Sequence, residues 1–222
     1  MFRTSDHIQL SAIGQAADFR TLRFRPGEKA LYQELNKSPY LKFPIKVDLA
    51  MTAHKVSLII QAALSGVDLR YDDRFKKLRK TYNAEEAVVF QHVHRLIRCI
   101  VDCQLAQDDS VGVRNALELS RSLAARAWDD SPFQLSQLSG IGPAAVRKFV
   151  NAGIKTIEEL DDTDSLKINM IMARNPPYGM QLLEQTRTYP RLHIALKKMG
   201  TSVRSCVFLE QDVLTFRVSS GF

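Results

Sequence analysis

The chain has 222 residues, enough for one large domain or two small ones, and its 45% hydrophobic and 25% charged content is that of an ordinary globular protein. A formal net charge of +7 favours an acidic partner such as nucleic acid. Three cysteines, Cys99, Cys103 and Cys206, build no disulfide framework, the N-terminus carries no signal-peptide pattern, and the longest apolar stretch, Val56–Leu64, is too short to span a bilayer; an intracellular chain is expected.

In chain order, residues 1–20 read as a connector, with Ser11–Phe19 able to form a short helix but no core. Residues 21–130 read as a helical bundle. Gly27–Leu35 makes a short helix, and Thr52 offers an N-cap for another that stops at Ser65-Gly66. Asn83 and Glu86 form a capping box that opens a long helix, Ala84–Ala106. Val89, Val93, Leu96, Ile97, Ile100 and Leu105 recur along it at helical spacing and predict one buried side. After a break at Asp108–Ser110, a further helix is expected over Val111–Trp128.

Residues 131–188 open with Ser131-Pro132, an N-cap followed by proline at the first helical position, and continue as short helices alternating with glycine turns. Beyond Pro190 the period changes to two: Leu192, Ile194 and Leu196 alternate with polar neighbours, as do Leu214, Phe216 and Val218. Two or three strands before Phe222 make a marginal sheet, so the chain is expected to be a fragment that stops within a β-sandwich. The predicted class is mainly α: a bundle, a helix-hairpin-helix and the start of a truncated sandwich.

The strongest local motif is Leu138-Ser139-Gly140-Ile141-Gly142-Pro143 followed by Ala144-Ala145-Val146-Arg147-Lys148-Phe149. Two glycines flank one apolar residue, and a proline opens the next helix. Such a turn exposes backbone N–H groups beside a helix N-terminus, where a phosphate oxygen can bind, and Arg147 and Lys148 add charge one turn on. The motif resembles the helix-hairpin-helix of DNA repair and recombination proteins, which grips the sugar-phosphate backbone without reading sequence. The same motif also serves packing and protein contacts alone.

On the helix Val111–Trp128, Arg114, Arg121 and Trp128 are spaced by seven and share one stripe. Guanidinium and indole groups in a row suit single-stranded nucleic acid, because Arg pairs with phosphate and both groups stack on bases. Alternatively Trp128 anchors the bundle and the arginines face water. His92, His94, Cys99 and Cys103 are metal-ligand types in proximity, but no CxxC pair completes a zinc site, so they read as core or interface residues. Asp72-Asp73, Asp108-Asp109, Asp129-Asp130 and Asp161-Asp162 lie at helix boundaries, where carboxylates favour the positive helix end. The chain has no GxxxxGK[ST] phosphate loop and no GxSxG or HExxH pattern, so it reads as no enzyme by itself, without metal or cofactor.

The order of parts carries a wider resemblance. Ala17-Asp18-Phe19, Arg25-Pro26-Gly27-Glu28, Lys42-Phe43-Pro44 and Lys55-Val56-Ser57-Leu58-Ile59-Ile60-Gln61-Ala62, then the long helices, the glycine turn and the strands, resemble a Sec sixty-three homology domain of Ski-two-like superfamily-two helicases. Ala173-Arg174-Asn175-Pro176-Pro177-Tyr178-Gly179 is similar to the form seen in meiotic crossover helicases of the Mer-three type. The resemblance implies a parent DNA helicase that moves 3′ to 5′, with ATP and magnesium bound by upstream RecA-like motor domains and a winged helix between. It implies single-stranded or branched DNA, recombination or mismatch-repair proteins as partners, no membrane, and a nuclear location. It also implies that Arg121 and Trp128 match a ratchet pair that stacks on bases; Arg114 is an extension from the spacing alone. In that family the terminal strands belong to an immunoglobulin-like domain used for protein contacts, here residues 189–222 and incomplete. The competing expectation is a stand-alone or RNA-helicase-type domain of the same fold that serves as a protein-interaction adaptor.

Overall fold

The computed structural model describes residues 3–67 and 73–189, together with the strand backbones 192–199, 202–209 and 212–217. Asp72, Pro190, Val218, Phe222 and the Cys206 side chain lie outside the described residues. The described chain is mainly α-helical and divides into two compact units, Met1–Thr156 and Ile157–Phe222.

The first unit contains α1 (Arg3–Gly14), α2 (Lys29–Lys37), α3 (Thr52–Leu64), α4 (Lys76–Ala106), α5 (Ser110–Ala125) and α6 (Pro143–Asn151), with 3-10 turns at Ala17–Phe19, Asp73–Phe75 and Pro132–Gln137. Its centre is α3, in which every residue from Lys55 to Ala62 is buried. A helix apolar on all sides is covered on all sides, and α1, α2 and α4 all pack on α3.

The N-terminal segment corrects the connector expected over residues 1–20. Leu10, Ile13 and Phe19 are fully buried in the main core, and α1 packs on α3, α4 and α5. At Gly14 a Cβ would come within 2.8 Å of the Ala53 carbonyl oxygen, so the absence of a side chain allows α1 and α3 to approach closely. The sequence pattern of α1 hid this role because only Leu10 and Ile13 of its apolar residues turn inward, while Ile8 stays exposed.

The long helix α4 also departs from expectation. It starts at Lys76, and Asn83 lies inside it rather than at its cap. The inward stripe runs from Tyr82 and Glu85 through Val89, Phe90 and Val93 to Ile97, about two turns further toward the N-terminus than the stripe expected from Val89 onward. Toward the other end the stripe fades: Leu105 is exposed, and so are Cys99 and Cys103, which are therefore not core residues.

Glu85 is inward because it meets a buried cation. Lys55, fully buried, donates to Glu28 Oε2 at 2.7 Å, to Glu85 at 2.8 Å and to the Arg23 carbonyl at 3.1 Å. Glu28 in turn accepts from the Arg25 amide at 2.9 Å. The Tyr32 hydroxyl lies 3.5 Å from Glu85, and burial followed by the Glu85 carboxylate pushes its phenol well above the usual range, so it remains a neutral donor.

A second polar device holds the extended link between α2 and α3. The Gln61 carboxamide accepts from the Phe43 amide at 2.8 Å and donates to the Phe43 carbonyl at 3.0 Å. Asn36 does the same at Ile45, at 2.9 and 2.7 Å. Two side-chain amides thus replace the neighbouring strand that this backbone lacks.

In the second unit, α7 (Ile157–Asp161), α8 (Ser165–Met172) and α9 (Tyr178–Arg187) precede β1 (Leu192–Met199), β2 (Ser202–Leu209) and β3 (Asp212–Arg217). Asp164 caps α8 by accepting from Leu166 N at 3.1 Å, and Thr186 donates to Asp161 at 2.7 Å, tying α9 to α7. In the Asn-Pro-Pro-Tyr-Gly segment, buried Asn169 accepts from Gly179 N at 2.7 Å, and the Ser165 carbonyl fills the place a Cβ would occupy on Gly179. The strands form one antiparallel meander in the order β1-β2-β3, with Leu192 opposite Leu209 and Arg204 opposite Arg217.

Replacing Lys55 with Met leaves Glu28 and Glu85 buried without their cation. Removing one partner of such a network is expected to lower stability by roughly 3–5 kcal/mol, read as a shift of the urea unfolding midpoint.

Candidate nucleic-acid interface

The stripe expected to carry Arg114, Arg121 and Trp128 rests on α5. Its start is capped by Asp109, whose carboxylate accepts from Gly112 N at 2.9 Å. Its end comes at Ala125, three residues short of Trp128, because Arg126 adopts a left-handed conformation (φ 51°) and Ala127 N donates back to the Ser122 carbonyl at 3.1 Å. Glycine usually occupies such a cap. Here the Arg126 guanidinium is secured instead, 3.1 Å from Glu86 Oε1 and 4.3 Å from the centre of the Phe90 ring. Burial pushes the Glu86 carboxyl up from its usual range, and Arg126 pulls it back down.

The turn at Arg126 removes Trp128 from the stripe. Its amide donates to the Leu64 carbonyl at 3.2 Å, and its indole N–H donates to Ser65 Oγ at 3.0 Å. The ring meets Phe43 edge-on at 5.9 Å and is only 4% exposed. This corrects the expected arrangement: Trp128 is a core anchor, and its face is not open to a base. The seven-residue spacing misled because it counts as a stripe only while the helix continues.

Arg114 and Arg121 do face outward on α5. Arg114 Nε lies 3.8 Å from Glu118 and Arg121 Nη2 lies 2.7 Å from Asp129, all four side chains being largely exposed. Exposed pairs of this kind contribute roughly 0–1 kcal/mol each, so a phosphate can replace the carboxylate at little cost.

The glycine turn is built as its sequence suggests. Ser131 Oγ accepts from Phe133 N at 3.2 Å and opens the 3-10 turn Pro132–Gln137. Leu138 and Ile141 point into the core, and Ile141 N donates to the Leu138 carbonyl at 3.1 Å. Between them Gly140 takes φ +81°, a left-handed value that suits glycine. Open space surrounds the Cβ positions of both Gly140 and Gly142, so backbone is accessible there. Gly142 precedes Pro143 at the start of α6 and supplies no side-chain cap. Arg147 and Lys148 are exposed one turn later, whereas the Ile141 side chain is buried and only its backbone faces the turn.

Two ion pairs were not legible in the sequence. Lys42, on the link held by Gln61, pairs with Asp130 at 2.9 Å and places its ammonium 4.8 Å from the Trp128 ring centre. Asp129 and Asp130 were expected to favour a helix end, yet they bind Arg121 and Lys42. The one sequence signal was an acidic pair directly after the only tryptophan. His92 lies 3.8 Å from Asp18 and edge-on to Phe19. Among the described residues no three His, Cys, Asp or Glu side chains converge to hold a metal, and no helix is long and apolar enough to cross a membrane.

Residues 3–219 match the family model of the Sec63 Brl domain. The chain is 30% identical over 215 residues, 94% of its length, to the ATP-dependent DNA helicase MER3 of Saccharomyces cerevisiae, of which it covers 18%. It is 27% identical over 88% of its length to the probable ATP-dependent DNA helicase HFM1 of Homo sapiens, covering 13%. It is 24% identical over 82% of its length to the Arabidopsis thaliana helicase homologue MER3, covering 16%. The chain thus spans less than a fifth of each of these relatives.

The buried indole and the exposed guanidinium predict opposite outcomes in a stability assay. Trp128→Ala should destabilise the chain by roughly 3–5 kcal/mol and Arg121→Ala by no more than about 0.5 kcal/mol, both measured by urea denaturation followed by circular dichroism.

Proposed function

This chain belongs to the Sec63 Brl domain family, and from that membership we propose that it is the non-catalytic module of an ATP-dependent 3′–5′ DNA helicase acting in meiotic homologous recombination and crossover formation. The observation that carries the reading is the match along 94% of the chain to a DNA helicase more than five times its length. ATP and magnesium then belong to RecA-like motor domains elsewhere in the parent protein. The chain contributes contact with single-stranded or branched DNA and braces the motor. Recombination or mismatch-repair proteins are its further partners, and the parent works in the nucleus.

In this reading the outward face of α5 supplies Arg114 and Arg121 to phosphates, and the turn at Gly140–Gly142, with Arg147 and Lys148 on α6, grips a second stretch of backbone. The net charge of +7 supports the same sign of partner. Residues 21–130 serve as the bundle, 131–188 as a helix-hairpin-helix and 189–222 as part of an immunoglobulin-like domain. Trp128 contributes by fixing the chain after α5. The adaptor reading is favoured by one observation, that Arg114 and Arg121 each already have a carboxylate neighbour.

Fluorescence anisotropy of a labelled oligonucleotide separates the two. Binding by the 222-residue chain should weaken steeply between about 50 and 200 mM salt, and loss of each phosphate-contacting residue should reduce the salt slope by about one. Arg121→Ala and the double variant Arg147→Ala, Lys148→Ala are the substitutions to make. In the parent helicase Arg121→Ala should slow unwinding and leave ATP binding unchanged. An adaptor would show no binding even at low salt, and that result defeats the DNA reading.

A further inference from the structure

The link between α2 and α3 and the turn after α5 line a groove of about 370 Å³. It is lined by Trp128 and Ser65 together with Tyr40, Lys42, Asp130 and Phe133. Tyr40 is 64% exposed, and its ring has no aromatic or cationic partner among the described residues. A phenol ring left in water beside a preformed groove is an open stacking surface, and stacking on any base is sequence-tolerant.

The charges around the groove are arranged in a chain. Asp130 holds Lys42 at 2.9 Å, and the preceding residue, Asp129, holds Arg121 at 2.7 Å on α5. Lys42 is the more enclosed cation, with a side chain only 22% exposed, whereas Asp130 is 69% exposed. Lys42 is held in place by the Trp128 ring and by the link that Gln61 fixes at Phe43. Asp130 thus sits on the outer side of its pair, whereas Arg121 and Asp129 are both exposed. One enclosed cation, Lys42, is therefore covered by a solvent-facing anion, and the residue before that anion holds a second, exposed cation.

We propose that this groove is a nucleotide subsite of the single-strand path, in which Tyr40 stacks on a base while Lys42 and Arg121 take neighbouring phosphates, with Asp130 and Asp129 as resident stand-ins that the phosphates displace. The proposal rests on the single-stranded DNA reading above and deepens it. It assigns the aromatic role to an exposed ring in place of the buried Trp128. It also explains why the cations are held ready: each stays in a phosphate-binding geometry when no strand is bound.

The test is anisotropy with a fluorescein-labelled oligothymidylate and the full 222-residue chain at about 50 mM salt. Tyr40→Ala should weaken binding about tenfold, the size of one base–aromatic stack, while Tyr40→Phe should bind as the parent chain does. Lys42→Gln should lower the salt slope by about one. Asp130→Asn removes the competitor and should tighten binding about two- to fivefold, the range expected for an exposed ion pair. Asp102→Asn, an equal charge change at an exposed position of α4 more than four turns beyond Glu86, should have a smaller effect. If Arg121→Ala weakens binding but Tyr40→Ala and Lys42→Gln do not, the groove is excluded and the DNA reading stands. If the unaltered chain binds no oligonucleotide, both fall. Equal tightening by Asp130→Asn and Asp102→Asn overturns the displacement step.

Discussion

A single ammonium group organises the first unit. Lys55 is fully buried in the first turn of the most buried helix, and it must be neutralised there because an unpaired charge in such surroundings is costly. Its two carboxylates come from different places: Glu28 from the turn that enters α2, and Glu85 from the middle of α4. Once both are committed, the angle and height of α2 and α4 against α3 are set. A hydrophobic residue in place of Lys55 would allow these helices to slide; hydrogen bonds to defined oxygens do not. The Arg23 carbonyl, as a third acceptor, extends the same constraint to the chain ahead of α2.

From that centre the polar contacts propagate outward to the candidate interface. Gln61, two turns along α3 from Lys55, holds the backbone of Phe43, and Phe43 presents its ring to Trp128. Ser65, just past the end of α3, receives the indole N–H. The link carrying Tyr40 and Lys42 and the turn carrying Asp129 and Asp130 are therefore both referenced to α3. An irregular segment gains a defined position when its backbone polar groups are matched one by one. That is how a groove without regular secondary structure on two of its sides keeps its shape.

Much of this was legible in the residues, and the failures have physical causes. The glycine turn was readable because Gly140, Gly142 and Pro143 constrain their own backbone, whatever packs around them. The helices α3 and α5 were readable to within a few residues, although Thr52 is the first residue of α3 and not its cap, which is Met51, and α5 ends three residues before Trp128. The beginning of α4 was not, because Asn83 and Glu86 have the form of a capping box while Glu85 is drawn inward by Lys55 and Tyr82 meets the Tyr32 ring, partners distant in sequence. The role of α1 was hidden by its mixed polarity, since two inward residues and a close approach at Gly14 suffice to dock it. On α5 the outward position of Arg121 was legible from spacing, but the same spacing misplaced Trp128. Lys42 and Tyr40 left no periodic mark, because an extended link stabilised by side chains has no period.

The left-handed residue at the end of α5 has a wider consequence. A non-glycine residue in that conformation costs roughly 1–2 kcal/mol, and at Arg126 the ion pair with Glu86 and the contact with Phe90 offset it. The corner is therefore latched from outside the backbone, by a side chain reaching to another helix. A latch of this kind fixes the direction in which the chain leaves α5, and the two aspartates that follow inherit that direction. Glycine would make the same corner without strain and without the latch, leaving the aspartates to wander relative to α4. Arginine ties the edge of the groove to the helix that also carries Glu85, so that the outermost acidic residues and the innermost ammonium share one rigid support.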